Sequence, residues 1–128
     1  TVTGRYLDIS LVQMGSARGY RMMRAGSITG VSQQFACSTL TDVGGGTLAE
    51  KAQSTIQVRV NGSVVFSSTT GSVTATGNFG SQATQARGID NFAAGDIVAL
   101  YAYGVNQQFV STFTVDEFCA TFEVTYNS

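Results

Sequence analysis

The stretch that most constrains the fold is a short apolar run, residues 97–103, which directly follows the turn signal Gly95-Asp96. The run is rich in aliphatic and aromatic residues, is too short for a helix, and ends at Gly104. Such a run between turn residues indicates a strand buried within a sheet. A second run of this kind, residues 118–126, lies near the end of the sequence. Earlier strands must therefore return over long sequence distances to cover these two.

The strongest local signal is a predicted β-hairpin over residues 55–67. Ile56, Val58 and Val60 alternate with polar residues, Asn61-Gly62 follows, and a second apolar run comes next. Asn-Gly favours a two-residue type I′ turn, because both central residues of that turn have positive φ. We therefore expect two antiparallel strands joined by a tight turn here.

The rest of the sequence predicts further short strands over residues 6–12, 20–24, 27–39 and 107–115, and a turn at Asp116-Glu117. Residues 47–53 have a helix-forming composition but are too few for more than a turn or two, and residues 67–86, rich in Ser, Thr and Gly, predict a long surface loop with a weak edge strand. We expect one domain spanning residues 1–128, with residues 1–5 as a candidate N-terminal arm.

Roughly eight to ten short strands with almost no helix are typical of a β-sandwich or barrel. An immunoglobulin-like sandwich is one alternative, but the sequence lacks the tryptophan usual in that fold. The favoured prediction is an all-β, jelly-roll-type antiparallel β-sandwich.

Charged residues make up only 12% of the chain, and the net charge is −1. Lys51 is the only lysine, so a basic surface for nucleic acid is not expected. No apolar run approaches the length of about 18 residues that suggests a membrane span. Arg18, Arg21 and Arg24 form the only basic stretch. They are interpreted as a solvated face or, if they bind a partner, as a contact for an acidic protein surface.

The sequence contains no histidine, so Ser-His-Asp and Cys-His arrangements and histidine-ligated metals are not available to it. Two carboxylate pairs, Asp90 with Asp96 and Asp116 with Glu117, lack a spacing diagnostic of glycoside hydrolysis or calcium binding. Asp96 after Gly95 is better explained as a turn residue that accepts hydrogen bonds from nearby backbone N–H groups. The prediction is a protein that is not an enzyme and needs no cofactor or metal.

Cys37 and Cys119 are the only cysteines, and each lies in an apolar, strand-like stretch. Two buried thiols are the first interpretation, because free cysteine behaves as a small apolar residue. A disulfide between the two strands is the alternative.

Three motifs in order carry a resemblance to a known group: Ala25-Gly-Ser-Ile-Thr-Gly-Val31, then Ile56-Gln-Val-Arg-Val-Asn-Gly62, then Phe92-Ala-Ala-Gly-Asp-Ile-Val98. This order resembles small phage virion proteins with jelly-roll domains, namely capsid decoration, head-fibre and tail-associated proteins, over most of the chain from about residue 20. Residues 95–100 and 118–122 are also similar to the trimeric heads of complement and tumour-necrosis-factor-like proteins. The resemblance implies a homotrimer that binds the major capsid protein or another virion protein, on the capsid surface or at a fibre tip.

Tyr101 and Tyr103 lie on the same side of one predicted strand, and a strand apolar on both faces must bury the second face against something. Tyr101, Tyr103 and Tyr126 are the candidates for a threefold contact, because tyrosine combines a large apolar area with a polar tip. The expected function is a trimeric capsid decoration protein that stabilises a phage head. The alternative is a fibre-tip or lectin-like module that binds a glycan or host surface protein through the loops of residues 67–86.

Overall fold

The computed structural model describes residues 2–7, 13–14, 19–42, 52–106 and 110–127. These residues form two antiparallel sheets. Helices are absent from the described residues. The strands are β1 (Val2–Leu7), β2 (Gln13–Met14), β3 (Tyr20–Arg21), β4 (Gly26–Asp42), β5 (Ala52–Val60), β6 (Ser63–Thr69), β7 (Gly77–Thr84), β8 (Asp90–Phe92), β9 (Ile97–Asn106) and β10 (Val110–Tyr126). The prediction of an all-β antiparallel sandwich with eight to ten strands is confirmed.

The larger sheet has six strands in the order β2-β1-β9-β5-β6, and β3 pairs with the beginning of β9. The apolar run of residues 97–103 lies in β9, at the centre of this sheet, as expected. The predicted N-terminal arm is wrong, because Val2–Leu7 pairs with β9 from Val2 opposite Val105 to Leu7 opposite Leu100. The backbone hydrogen bonds of a sheet thus hold a segment whose polar composition suggested an arm.

The smaller sheet has the order β10-β4-β7, and β8 pairs with β4 beyond the end of β7. Its two longest strands, β4 and β10, have 17 residues each, longer than the short strands predicted. Register shifts interrupt their pairing, including one between Asp116 and Cys119, where Glu117 has a φ of 53°. The predicted turn at Asp116-Glu117 is therefore wrong. An extra residue here makes a β-bulge, which bends the strand without ending it.

The predicted hairpin is confirmed. β5 and β6 pair from Thr55 opposite Thr69 to Val60 opposite Ser63. The turn residues Asn61 and Gly62 have φ values of 51° and 87°, as a type I′ turn requires.

Residues 67–86 contain the end of β6, a connection over residues 70–76, and the eight-residue strand β7. β7 lies at the edge of the smaller sheet, so the predicted edge strand is confirmed, but the predicted long loop is reduced to that connection. Val73 holds this connection against β5, since its side chain is fully buried and its backbone pairs with Ala52 in an isolated bridge. In β7 partly buried Phe79, Ser81 and Ala83 alternate with exposed residues, and small residues at these positions weaken the apolar pattern.

Among the described residues, two apolar clusters lie between the sheets. One surrounds Ile28, Ile56, Val58, Val98 and Leu100. The other surrounds Phe35, whose ring centroid lies 6.1–6.2 Å from those of Phe79, Phe113 and Phe118.

The chain passes from one sheet to the other between β3 and β4, β4 and β5, β6 and β7, β8 and β9, and β9 and β10. Repeated passage between two sheets is a feature of jelly-roll sandwiches. Here the first strand, β1, pairs with β9, and the last, β10, pairs with β4. This arrangement puts the outer face of β9 on one side of the molecule and the outer face of β10 on the other.

Candidate functional site

Strand β9 carries large apolar or aromatic side chains on both of its faces. Val98 and Leu100 point into the core, where their exposed fractions are 0% and 2%. Tyr101 and Tyr103 alternate with core residues and lie on the outer face of the six-stranded sheet, half-buried. The prediction that these two tyrosines share one side of a strand is confirmed. A central strand with aromatic residues on its solvent side is a candidate contact surface.

The other strand cited for an assembly, β10, does not support it. Phe118, Ala120, Phe122 and Val124 pack against the core. The intervening residues on the opposite face are polar, as Thr121 and the other outward positions show. From residue 118 onward this strand therefore has the ordinary alternation of a half-buried strand, without a second apolar face to cover.

Arg59 of β5 joins the two tyrosines in one ordered patch. Its Cζ atom lies 4.0 Å from the centroid of the Tyr101 ring. Its Nε and Nη2 donate hydrogen bonds of 3.0 and 2.8 Å to Oε1 of Gln57, two residues earlier on the same face. The rings of Tyr101 and Tyr103 are 6.3 Å apart at their centroids. We call Gln57, Arg59, Tyr101 and Tyr103 the tyrosine face.

The tyrosine face has the composition of a protein–protein contact. Tyrosine and arginine are the residue types enriched at binding hot spots, and a guanidinium over an aromatic ring gains strength when water is removed. The hydrogen bonds to Gln57 hold the Arg59 guanidinium in place before any partner arrives, which reduces the entropy lost on binding. On the far side of β9, Tyr6 and Gly4 of β1 are at the register positions opposite Tyr101 and Tyr103.

Tyr126 does not belong to this surface. It lies in β10, opposite Gly26 of β4, and its ring packs edge-on against that of Phe92 at 6.2 Å. Its ring packs against the core between the two sheets, whereas Tyr101 and Tyr103 lie on the outer face of the six-stranded sheet, so that sheet separates them. The three predicted contact residues are therefore not brought together.

The three arginines of the predicted partner contact have different outcomes. Arg18 lies outside the described residues. Arg21 is exposed and donates a hydrogen bond of 3.2 Å from Nη1 to the backbone oxygen of Gly95, so it links β3 to the turn before β9. Arg24 is exposed in the connection between β3 and β4. The contact between Arg21 and Gly95 has no signal in the sequence, because the two residues are 74 positions apart.

Asp116 and Glu117 are adjacent and exposed on β10, whereas Asp90 and Asp96 have separate hydrogen-bond partners. Oδ2 of Asp96 accepts a 2.8 Å hydrogen bond from the Ala93 N–H, which together with Asn61 lowers the pKa of the carboxyl. Asp96 is thus a turn residue, as predicted. Oδ2 of Asp90 accepts a 2.7 Å hydrogen bond from Nε2 of Gln85. Within the described part of the chain, no group of acidic or sulfur side chains is arranged to hold a metal ion.

The two cysteines are both free, but only one is buried as predicted. Cys37 is 2% exposed, and burial raises the pKa of its thiol. Cys119 is exposed on the outer face of the smaller sheet. Since one thiol faces the core and the other faces solvent, the two cannot form a disulfide within one chain.

A second candidate surface is an open trough of about 540 Å³ on the outer face of the smaller sheet. Uncharged polar side chains and one glycine line most of it, among them Ser32, Gln34, Gly80, Gln82 and Thr121. Gly80 is required here, because a Cβ atom would lie 2.7 Å from the backbone oxygen of Gln33. The trough offers amide and hydroxyl groups without a formal charge.

The chain matches no protein-family model, and no curated protein or solved structure is significantly similar to it. The resemblance to phage virion proteins thus depends on the short motifs alone and stays a prediction. The described residues include no helix that is long and apolar enough to cross a membrane.

Proposed function

We propose that this protein is a non-enzymatic virion component, a homotrimeric capsid decoration protein whose copies meet through the tyrosine face. The observation that carries the proposal is the ordered aromatic patch on the solvent side of β9, where Arg59 lies over Tyr101 and Tyr103 adjoins it. The motif order of the sequence supplies the virion context.

Burial in a symmetric trimer explains the aromatic composition of the tyrosine face better than exposure on a monomer does. Three copies related by a threefold axis would bring the same patch together three times and remove its rings from water. The outer faces of β5 and β6 around the patch carry Ser, Thr and Gln, which suits the polar rim of an interface. The trimer would then present the rest of its surface to the capsid, where its contribution is contact area across neighbouring subunits.

The interface test replaces both tyrosines, in the variant Tyr101→Ser with Tyr103→Ser. Hot-spot side chains contribute about 2 kcal/mol or more each to association, so the variant should dissociate to monomer at concentrations where the parent chain is trimeric. Thr121→Ala, on the outer face of the other sheet, is the matched control and should keep the parent mass. Sedimentation equilibrium measures both, and circular dichroism checks that the monomer is folded. A double variant that stays trimeric would refute the tyrosine face as the interface.

The functional test adds the purified trimer to heads of the encoding virus from which surface proteins have been removed. Decorated heads should withstand heating that opens bare heads, and the double tyrosine variant should not protect them. Heads that neither bind the trimer nor gain heat resistance would count against decoration.

A second candidate function, glycan recognition, is favoured by the trough on the smaller sheet. Its amide and hydroxyl groups suit hydrogen bonding to sugar hydroxyls, and its lack of charge favours neutral sugars. A glycan array probed with the isolated protein tests this function. Binding that disappears in Gln82→Ala and Thr121→Ala would favour the lectin-like function over decoration.

A further inference from the structure

Three edge strands of the described residues differ in how well they are protected against pairing with another chain. β10 carries three exposed acidic residues, Asp116, Glu117 and Glu123, and several register shifts. The pairing of β6 with β5 has a register shift between Val58 and Arg59 of β5. Charges and bulges on an edge are the usual devices that prevent sheet-to-sheet association.

β7 has neither device. Its eight residues, Gly77–Thr84, contain no charge and no proline. It pairs with β4 in an uninterrupted register from Thr84 opposite Gly30 to Gly77 opposite Cys37. No other strand of the described residues pairs with its second edge. β7 is therefore a regular, neutral edge that can accept another strand.

The hydrogen-bond pattern identifies which backbone groups face outward. The N–H of Gln85 donates to the oxygen of Thr29 on β4 at 3.0 Å. Because these groups alternate in direction along an antiparallel strand, the odd-numbered residues of β7 bond to β4. The backbone groups of the even-numbered residues, Asn78, Gly80, Gln82 and Thr84, then point to the open edge.

We propose that this edge pairs antiparallel with β7 of a second copy, in the register that places Asn78 opposite Thr84 and Gly80 opposite Gln82. In this register, each of the four residues whose backbone groups point to the open edge lies opposite such a residue of the partner. Each opposed pair exchanges two hydrogen bonds. Ser81 lies on the twofold axis. The result is one continuous sheet across two molecules.

Charge favours β7 over β10 as the edge that pairs with a second copy. Self-pairing of the acidic β10 edge would bring like charges together, whereas self-pairing of β7 brings together only uncharged groups. An isologous contact also needs no further component, since the same strand supplies both halves. The contact lies on the sheet opposite to the tyrosine face, so it is independent of the proposed trimer and would link one trimer to the next.

Register-specific disulfide trapping tests the proposal. In the predicted register the Cα atoms of residue 78 and the partner's residue 84 are about 5.5 Å apart, within disulfide range. The variant Asn78→Cys with Thr84→Cys is made in a Cys119→Ser background, which removes the exposed native thiol. After mild oxidation it should run at twice the chain mass on a non-reducing gel. The two new cysteines of one chain are six residues apart along a strand and cannot pair with each other.

Two controls make the result specific. Asn78→Cys alone, and Asn78→Cys with Gln82→Cys, place opposed thiols outside disulfide range, and each should give about tenfold less linked product. Adding Gln82→Pro to the linking variant removes an outward N–H without removing a bond to β4, so the fold should persist while linking is lost. Equal linking in the controls, no linking in the main variant, or linking that survives Gln82→Pro would overturn the proposal. Tyrosine-face variants should leave the linking unchanged, which separates this contact from the trimer.

Discussion

At the scale of single residues, Gln33 shows how the two sheets are joined by hydrogen bonds as well as by apolar contact. Its side chain is 3% exposed. On β4 it lies between Val31 of one apolar cluster and Phe35 of the other. Nε2 donates to the backbone oxygen of Ser54 and to Oγ of Ser81, both at 2.8 Å, and Oε1 accepts from Oγ of Ser54 at 2.7 Å. The amide thus connects β4 and β7 of one sheet to β5 of the other.

We predict that Gln33→Ala lowers the free energy of unfolding by about 2–4 kcal/mol, because it creates a cavity and leaves buried partners unpaired. Gln34→Ala is the matched control, since Gln34 is the next residue and its side chain is exposed. The control should change stability by less than about 0.5 kcal/mol. Urea denaturation measures both variants, and equal effects would contradict the bridging role of Gln33.

A second residue-scale prediction concerns Asp96. The Ala93 N–H, and then Asn61, lower its pKa in the folded chain. A lowered folded-state pKa means that the ionised carboxylate stabilises the fold above the unfolded value of about 4, and that this stabilisation is lost as the pH falls through the folded value. Asp96→Asn should therefore lower the melting temperature at neutral pH, and the difference between the two proteins should disappear once the pH has fallen below the folded-state pKa of Asp96. A difference that is the same at every pH would show that the charge is not responsible.

At the scale of elements, the sequence predicts the turns and strands that depend on residues adjacent in the chain. Asn61-Gly62 predicts the β5–β6 turn because the turn type depends on two adjacent residues. The run of β9 predicts a central strand because its apolar residues are contiguous. β7 is predicted only as a weak edge strand beside a long loop, because its inward residues are small or polar, with Phe79 as the exception. The bulge at Glu117 is missed because a non-glycine residue at positive φ has no consistent sequence signal.

The hairpin gives a prediction at this scale. Gly62 has a φ of 87° and open space around the position of a Cβ atom, so Gly62→Ala adds backbone strain without a clash. The strain should cost about 1–2 kcal/mol of stability. Gly71 also has open space but no positive φ, so Gly71→Ala is the control and should be neutral or slightly stabilising. Thermal unfolding of the pair checks the prediction, which fails if both substitutions have the same effect.

At the scale of the whole molecule, strand pairing decides which surface residues meet, and pairing between distant strands is not encoded in any short stretch. Tyr101 and Tyr103 are found together because they are two residues apart on one strand. Tyr126 is separated from them because β10 joins the other sheet, and Arg59 joins them because β5 lies next to β9. The sequence could therefore suggest half of the tyrosine face but not its arginine.

We predict that the tyrosine face is buried between three copies of the chain, and the solution mass tests this most directly. Light scattering of the purified protein at several concentrations should give three times the 13.4 kDa of one chain. Association of trimers through β7 would add multiples of that mass at the highest concentrations. A mass of one chain at every concentration would contradict the trimer and leave the tyrosine face as the exposed surface of a monomer.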